Sequence, residues 1–369
     1  MIRQSDEHSF FSFRKWKLTL FAVTIFAAVL YFVDLPNNPP GFFLDESSIS
    51  YNAYTISQNG CDESGVTWPL FFRAFGEYKN PVYIYLLAAI FRLTGPSILV
   101  ARLFSAVIGV ITALSLGLLA VSISKQRVVG LLVAVMALLT PWLFELSRVV
   151  FEVALYPLAL ALFLLFVRRA MDKTTWSLVD GLGLVLTLAL LTYVYSIGRL
   201  FAPLMALGLL LFATRARLRP LMLTWVGYAL TLLPALLFQI RYPGALTNRF
   251  QLITYVTPTS GNAEIFWNFA KHYLGNINPY RLFISEHSKV SEIIHIPGAP
   301  PVLIATAVLA ALGGYIVLRR KRRDAWWRFI IYGLAVSIVP TSLTNESFHM
   351  LRLAALPVFL IVLTVPALS

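Results

Sequence analysis

Apolar residues fall in long blocks separated by short polar turns. The blocks Leu18–Val33, Ile98–Ile123, Val128–Phe144, Val150–Val167, Leu178–Tyr195, Leu200–Ala213, Leu221–Ile240, Val302–Leu318, Phe329–Leu343 and Leu351–Val365 each read as a helix that crosses a bilayer, some of them short for the task. Pro81–Phe91 is about half the length needed to span. It stands either as a juxtamembrane helix or as part of the next span. The pattern predicts an all-α polytopic membrane protein, a transmembrane helical bundle of roughly ten spans. Residues 1–15 then form a cytoplasmic N-terminus and 16–369 a membrane domain. Within it, 34–97 make a first extracytoplasmic loop and 241–300 a long second one.

Composition agrees. Hydrophobic residues make up 58% of the chain, charged ones 13%, and mean hydropathy is +0.75. Soluble domains carry about a quarter charged residues, so a soluble core of this size is excluded. The net charge of +13 suggests nucleic acid until its distribution is read. The basic clusters Lys125/Arg127, Arg168/Arg169/Lys173, Arg215/Arg217/Arg219 and Arg319–Arg323 all fall on one side of the alternating spans. That is the positive-inside signature of topology, and no nucleic-acid partner is implied. The first apolar run follows Arg14, Lys15 and Lys17 and lacks a small-residue cleavage site, so it reads as an uncleaved signal anchor. The expected location is the inner (plasma) membrane, with the N-terminus cytoplasmic. Cys61 is the sole cysteine, which excludes an intrachain disulfide.

The side opposite the basic clusters is polar where orientation requires nothing. It gathers Asp45, Glu46, Glu77, Lys79, Arg148, Glu152, Arg199, His349 and Arg352. Asp45 and Glu46 follow a Pro-rich bend (Pro36, Pro39, Pro40), and Tyr51, Tyr54, Trp68, Phe71, Phe72, Phe75 and Tyr78 predict short helices at headgroup depth in this loop. Ionisable groups next to lipid are costly, and they mark function more often than they decorate a surface. Paired acids supply a general base if their surroundings tune one pKa, and nearby cations hold a phosphate as charge develops on it. Lys79 also reads as a plain ion pair with Glu77, Tyr193 and Tyr195 as interfacial anchors, and His349 as a helix-end histidine.

At these residues the chain resembles the GT-C superfamily of polyprenyl-phosphate-sugar glycosyltransferases, in particular protein O-mannosyltransferases and lipid A aminoarabinose transferases. Asp45-Glu46 resembles the first-loop acidic motif. Gly76-Glu77-Tyr78-Lys79-Asn80-Pro81-Val82-Tyr83-Ile84-Tyr85 is similar to a Glu-Lys-Pro-Pro-Leu-Tyr-Tyr segment, with Tyr78 inserted and Asn80 in place of a proline. Ser147-Arg148 with Glu152, Tyr193-Val194-Tyr195-Ser196 with Arg199, and His349 with Arg352 and Pro357 are similar to later motifs of those proteins. The resemblance implies sugar transfer from a polyprenyl-phosphate carrier to an acceptor hydroxyl on the extracytoplasmic face. It makes Asp45 the general base and Glu46 its support or an acceptor-orienting group. Lys79, Arg199, Arg352 and His349 would hold the donor phosphate, and Glu77, Glu152 and Tyr195 would orient substrate. The acceptor is a protein, a lipid or another glycan, and membrane lipid surrounds the whole. Many members carry more spans and a soluble C-terminal domain, so the chain reads as a compact member or a truncated one.

No ligand spacing such as His-x-x-x-His occurs, so no metal residue is assigned, and no cofactor is fixed although a divalent cation stays open. There is no Gly-rich phosphate loop; Gly313-Gly314 reads as close helix packing. His272, His287 and His295 are scattered in the long loop, where acceptor selection is expected. The alternative is a membrane transporter or flippase for a lipid-linked sugar or other anion. A purely structural membrane protein would leave the paired acids without a purpose.

Overall fold

The computed structural model describes residues 18, 20–284, 295–296 and 298–369. Residues 1–15, expected to be cytoplasmic, and His287 lie outside the described residues. The described chain is a bundle of helices with a single two-stranded hairpin. Ile98–Ser124, Glu152–Met171 and Leu218–Arg241 are long and apolar enough to cross a membrane by themselves. Shorter apolar helices, among them Leu20–Leu30, Leu178–Val194 and Leu356–Leu368, complete the bundle.

Helix ends follow local chemistry. Ser97 starts the Ile98–Ser124 helix by accepting a hydrogen bond from the Val100 N–H at 3.1 Å. The last turn of that helix ends at Lys125, which takes a left-handed φ of 60°. Close helix contacts use small residues: a Cβ on Gly313 would lie 1.8 Å from the Leu363 carbonyl oxygen, so only glycine lets Ile304–Arg320 meet Leu356–Leu368 there. Gly314 faces open space. The Leu218–Arg241 helix keeps Leu223, Leu230, Leu237 and Ile240 exposed, an apolar face suited to lipid.

Two expected spans are divided where proline intervenes. Val128–Phe144 appears as Arg127–Leu138 followed by the short helix Pro141–Leu146, and Phe329–Leu343 as Ala325–Ser337 followed by Val339–Ser342, which contains Pro340. A proline has no N–H to continue the ladder and disfavours helical geometry in the residue before it.

The first loop is more ordered than a row of interfacial helices. Leu44–Asn59 is a helix, Phe72–Ala74 and Glu77–Lys79 form the hairpin, and Pro81–Thr94 is a separate helix ended by Gly95. Ala74 pairs with Glu77 across the two-residue turn Phe75-Gly76, both with positive φ (52° and 78°), which is type I′ geometry. The 241–300 segment is tied to the turn after Val339–Ser342. Asn345 N–H donates to the Ile253 carbonyl at 2.7 Å, Thr254 to that of Leu343 at 2.6 Å, and Tyr255 to that of Ser342 at 2.7 Å.

Candidate active site

The first loop is held from below by two arginines of the bundle. Arg102, wholly buried in the Ile98–Ser124 helix, donates to the carbonyls of Leu35 (3.0 Å), Pro39 (2.8 Å) and Gly41 (2.6 Å). Its Nε and Nη2 grip both oxygens of Glu46 at 3.0 and 2.9 Å. Glu46 also accepts from the Val150 N–H and, as a helix cap, from the Phe43 N–H, each at 3.0 Å. Arg148 donates to the Val33 and Asn38 carbonyls at 2.7 and 2.8 Å, closing the end of the first apolar run. A buried ion pair of this kind adds little net stability but is costly to break singly.

This changes the reading of Glu46. Both of its oxygens are consumed inside the protein, and the side chain does not reach the cavity described below. It braces the loop; contact with an acceptor is not available to it. Residues next to each other on a helix point about 100° apart, so the same anchoring turns Asp45 outward.

Asp45 opens into a cavity of about 680 Å³. Around it the structure gathers Asp45, Glu77, Lys79, Glu152, Tyr195, Arg199, His349 and Arg352 from segments scattered along the chain. Arg249 and Asn80 join them, neither of which sequence reasoning assigned. Asp45 is about half exposed and sits in the first turn of its helix, where the dipole favours a carboxylate. Lys79 Nζ lies 2.5 Å from Asp45 Oδ1 and 3.9 Å from Glu77 Oε1. Strand alternation explains the grouping: with Tyr78 between them, Glu77 and Lys79 project from one face of the hairpin. Burial alone would lower the Lys79 pKa, yet the carboxylates of Asp45, Glu152 and Glu77 outweigh it and hold the ammonium above its ordinary value.

A second group forms the adjoining wall. Glu152 accepts from both the backbone N–H and the side-chain amide of Asn80, and Arg199 donates to Asn80 Oδ1 at 2.9 Å. Arg199 also donates to the Leu246 carbonyl at 2.8 Å and stacks over Phe71 at 5.2 Å. Opposite, Arg249 of the long segment pairs with Glu77 at 3.1 Å. Arg352 donates to Thr344 Oγ1 at 3.1 Å and lies 3.4 Å from Glu346. His349 is buried beside these cations; burial first, then Arg352 and Arg249, push its pKa down to about 3, so it is neutral at ordinary pH. Among the described residues its Nδ1 has no hydrogen-bond partner.

The arrangement combines the half-exposed Asp45 carboxylate with an arc of cations, which suits proton removal beside an anionic group. Among the described residues, no three His, Cys, Asp or Glu side chains cluster as metal ligands. Of the long-loop histidines, His272 stacks on Tyr255 at 5.5 Å and His295 pairs with Glu145 at 2.9 Å. Neither lines the cavity. A signal for Arg249 existed only in its charge, within a segment whose path the sequence does not reveal.

Residues 78–238 match the model of the dolichyl-phosphate-mannose-protein mannosyltransferase family. That stretch holds Lys79, Asn80, Glu152, Tyr195 and Arg199. No curated protein matches the chain. Among solved structures, ArnT from Cupriavidus metallidurans bound to undecaprenyl phosphate is similar, with a TM-score of 0.62 at 13% sequence identity. The match covers 96% of this chain and 60% of that one. The resemblance to GT-C glycosyltransferases is thus found in both comparisons, and the chain has the all-α GT-C membrane fold.

Proposed function

We propose that this protein is a membrane glycosyltransferase that moves a sugar from a polyprenyl-phosphate carrier to an acceptor hydroxyl. The observation that carries this is the single cavity joining the Asp45 carboxylate to Lys79, Arg199 and Arg352. Asp45 takes the acceptor proton as the hydroxyl oxygen bonds to the anomeric carbon. The bond from that carbon to the lipid phosphate breaks, and its electron pair leaves with the phosphate, where Lys79, Arg199 and Arg352 offset the charge. Lys79 has three N–H donors, so one ammonium can serve both Asp45 and the phosphate. Neutral His349, Tyr195, Glu77 and Glu152 are placed to bind sugar hydroxyls or orient the cations.

The topology supports an extracytoplasmic site in an inner (plasma) membrane protein with a cytoplasmic N-terminus. Lys125 and Asp172 approach to 4.0 Å, and Arg217 donates to the Met171 carbonyl at 2.9 Å, so basic turns distant in sequence share one end of the bundle. The positive-inside rule assigns that end to the cytoplasm and the cavity to the other side. The test is transfer by purified protein from a panel of undecaprenyl-phosphate sugars, with flux measured in parallel in reconstituted vesicles. Transfer products support the proposal. Flux of intact lipid-linked sugar without transfer would establish the transporter instead.

A further inference from the structure

Asn80 stands at the junction of the hairpin and the Pro81–Thr94 helix, 2% exposed. Its backbone N–H and its Nδ2 (3.0 Å) both donate to Glu152, one to each carboxylate oxygen. Its Oδ1 accepts from Arg199 Nη2 at 2.9 Å. A side-chain amide gives a hydrogen bond to a carboxylate through its nitrogen and takes one from a guanidinium through its oxygen at the same time. Glu152 and Arg199 therefore meet through Asn80, not directly. The second anchor of Arg199 is the Leu246 carbonyl on the long segment. Those two bonds use two of the five guanidinium N–H donors, and the Phe71 ring supports the flat face.

We infer that Asn80 is a positioning residue: it relays Glu152 to Arg199 and so sets the guanidinium at the cavity wall for a lipid phosphate. The inference rests on reading the cavity as a donor-phosphate site. The groups facing the relay are Glu152, Arg199 and, one residue away on the hairpin, Lys79. Asp at position 80 would keep the acceptor for Arg199 but lose the donor to Glu152. Two carboxylates at this distance do not both ionise readily, so the pair binds a proton as pH falls. The protonated pair then has the hydrogen that the amide supplied. The defect of Asn80→Asp is accordingly large at pH 8 and small at pH 5.5, whereas Asn80→Ala is defective at both.

The experiment measures undecaprenyl phosphate binding and thermal unfolding of purified wild type, Asn80→Asp and Asn80→Ala at the two pH values. The relay predicts that Asn80→Asp binds on the order of tenfold or more weakly than wild type at pH 8, since hydrogen bonds to charged groups are at stake. It also predicts recovery toward wild type at pH 5.5. The unfolding temperatures should converge over the same interval, because the folded variant holds a proton that its unfolded chain releases. Exchanging both residues (Asn80→Asp with Glu152→Gln) restores one donor and one carboxylate, and should bind better than Asn80→Asp at pH 8. Binding by Asn80→Asp that tracks wild type at both pH values, or a defect independent of pH, overturns the relay. Converging stability with unaltered binding overturns the positioning role. If wild type itself fails to bind undecaprenyl phosphate, the reading of the cavity falls; parallel unfolding curves would then still overturn the relay, and converging ones would uphold it.

Discussion

Asp45→Asn is the substitution on which the proposed chemistry stands most exposed. The amide keeps the shape of the side chain but cannot accept the acceptor proton. Loss of a positioned base costs roughly 10²–10⁴ in rate, or about 2.7–5.5 kcal/mol of barrier. Stability should change little: the Asp45 carboxylate is 48% exposed, so its bond to Lys79 is worth less than about 1 kcal/mol. Arg102 and Glu46, which hold the loop, are untouched. Lys79 loses a competitor for its ammonium and keeps Glu77 at 3.9 Å, so affinity for undecaprenyl phosphate should be equal or tighter. The assay pairs turnover of whichever lipid-phosphate sugar the wild type uses with binding of undecaprenyl phosphate and an unfolding curve. Turnover must fall while binding and folding persist. Near-normal turnover would refute the base, and parallel loss of binding would show that Asp45 acts on the donor instead.

Glu46→Gln should do the reverse, costing about 3–5 kcal/mol of stability because Arg102 is left buried without a countercharge, seen as a large drop in unfolding temperature. Arg352→Ala should weaken undecaprenyl phosphate binding far more than Arg320→Ala, which removes an exposed charge from the basic end; equal effects would dissolve the assignment of faces. His349 has a folded pKa near 3, and the unfolded histidine an ordinary one, so the unfolded chain binds a proton first and stability falls as pH drops from about 6.5 toward 3, by at most about 1.4 kcal/mol per unit. His349→Gln should flatten that slope in unfolding curves, and an unchanged slope would assign the acid sensitivity elsewhere. Gly313→Val should destabilise by about 1–3 kcal/mol or more through its clash with the Leu363 carbonyl, and an unaltered unfolding temperature would mean that the two helices part freely.

Hydropathy and basic turns made the bundle legible, and the polar residues on one side pointed to a site. What stayed hidden was direction. Asp45 and Glu46 look interchangeable as letters, yet the helix sends one to the cavity and the other to Arg102. Tyr78 looked like a disturbance between Glu77 and Lys79 until the hairpin showed that strand alternation needs a spacer to put both on one face. Arg102, in the second turn of its helix, belongs to no quoted motif, and Asn80 entered only as a residue in place of a proline; the importance of both lies in partners 56 to 119 positions away. Arg249 sits in a segment whose course is set by hydrogen bonds to residues 342–345, contacts no local pattern encodes.

One guanidinium collects the carbonyls of Leu35, Pro39 and Gly41 together with the Glu46 carboxylate. During synthesis, those groups emerge well before the segment that supplies Arg102. A nascent chain stopped short of that helix holds its acidic loop without the guanidinium that gathers it. The Asp45 helix is therefore seated only once the Ile98–Ser124 helix has been made, and the cavity wall waits longer still, for Glu152, Arg199 and Arg352.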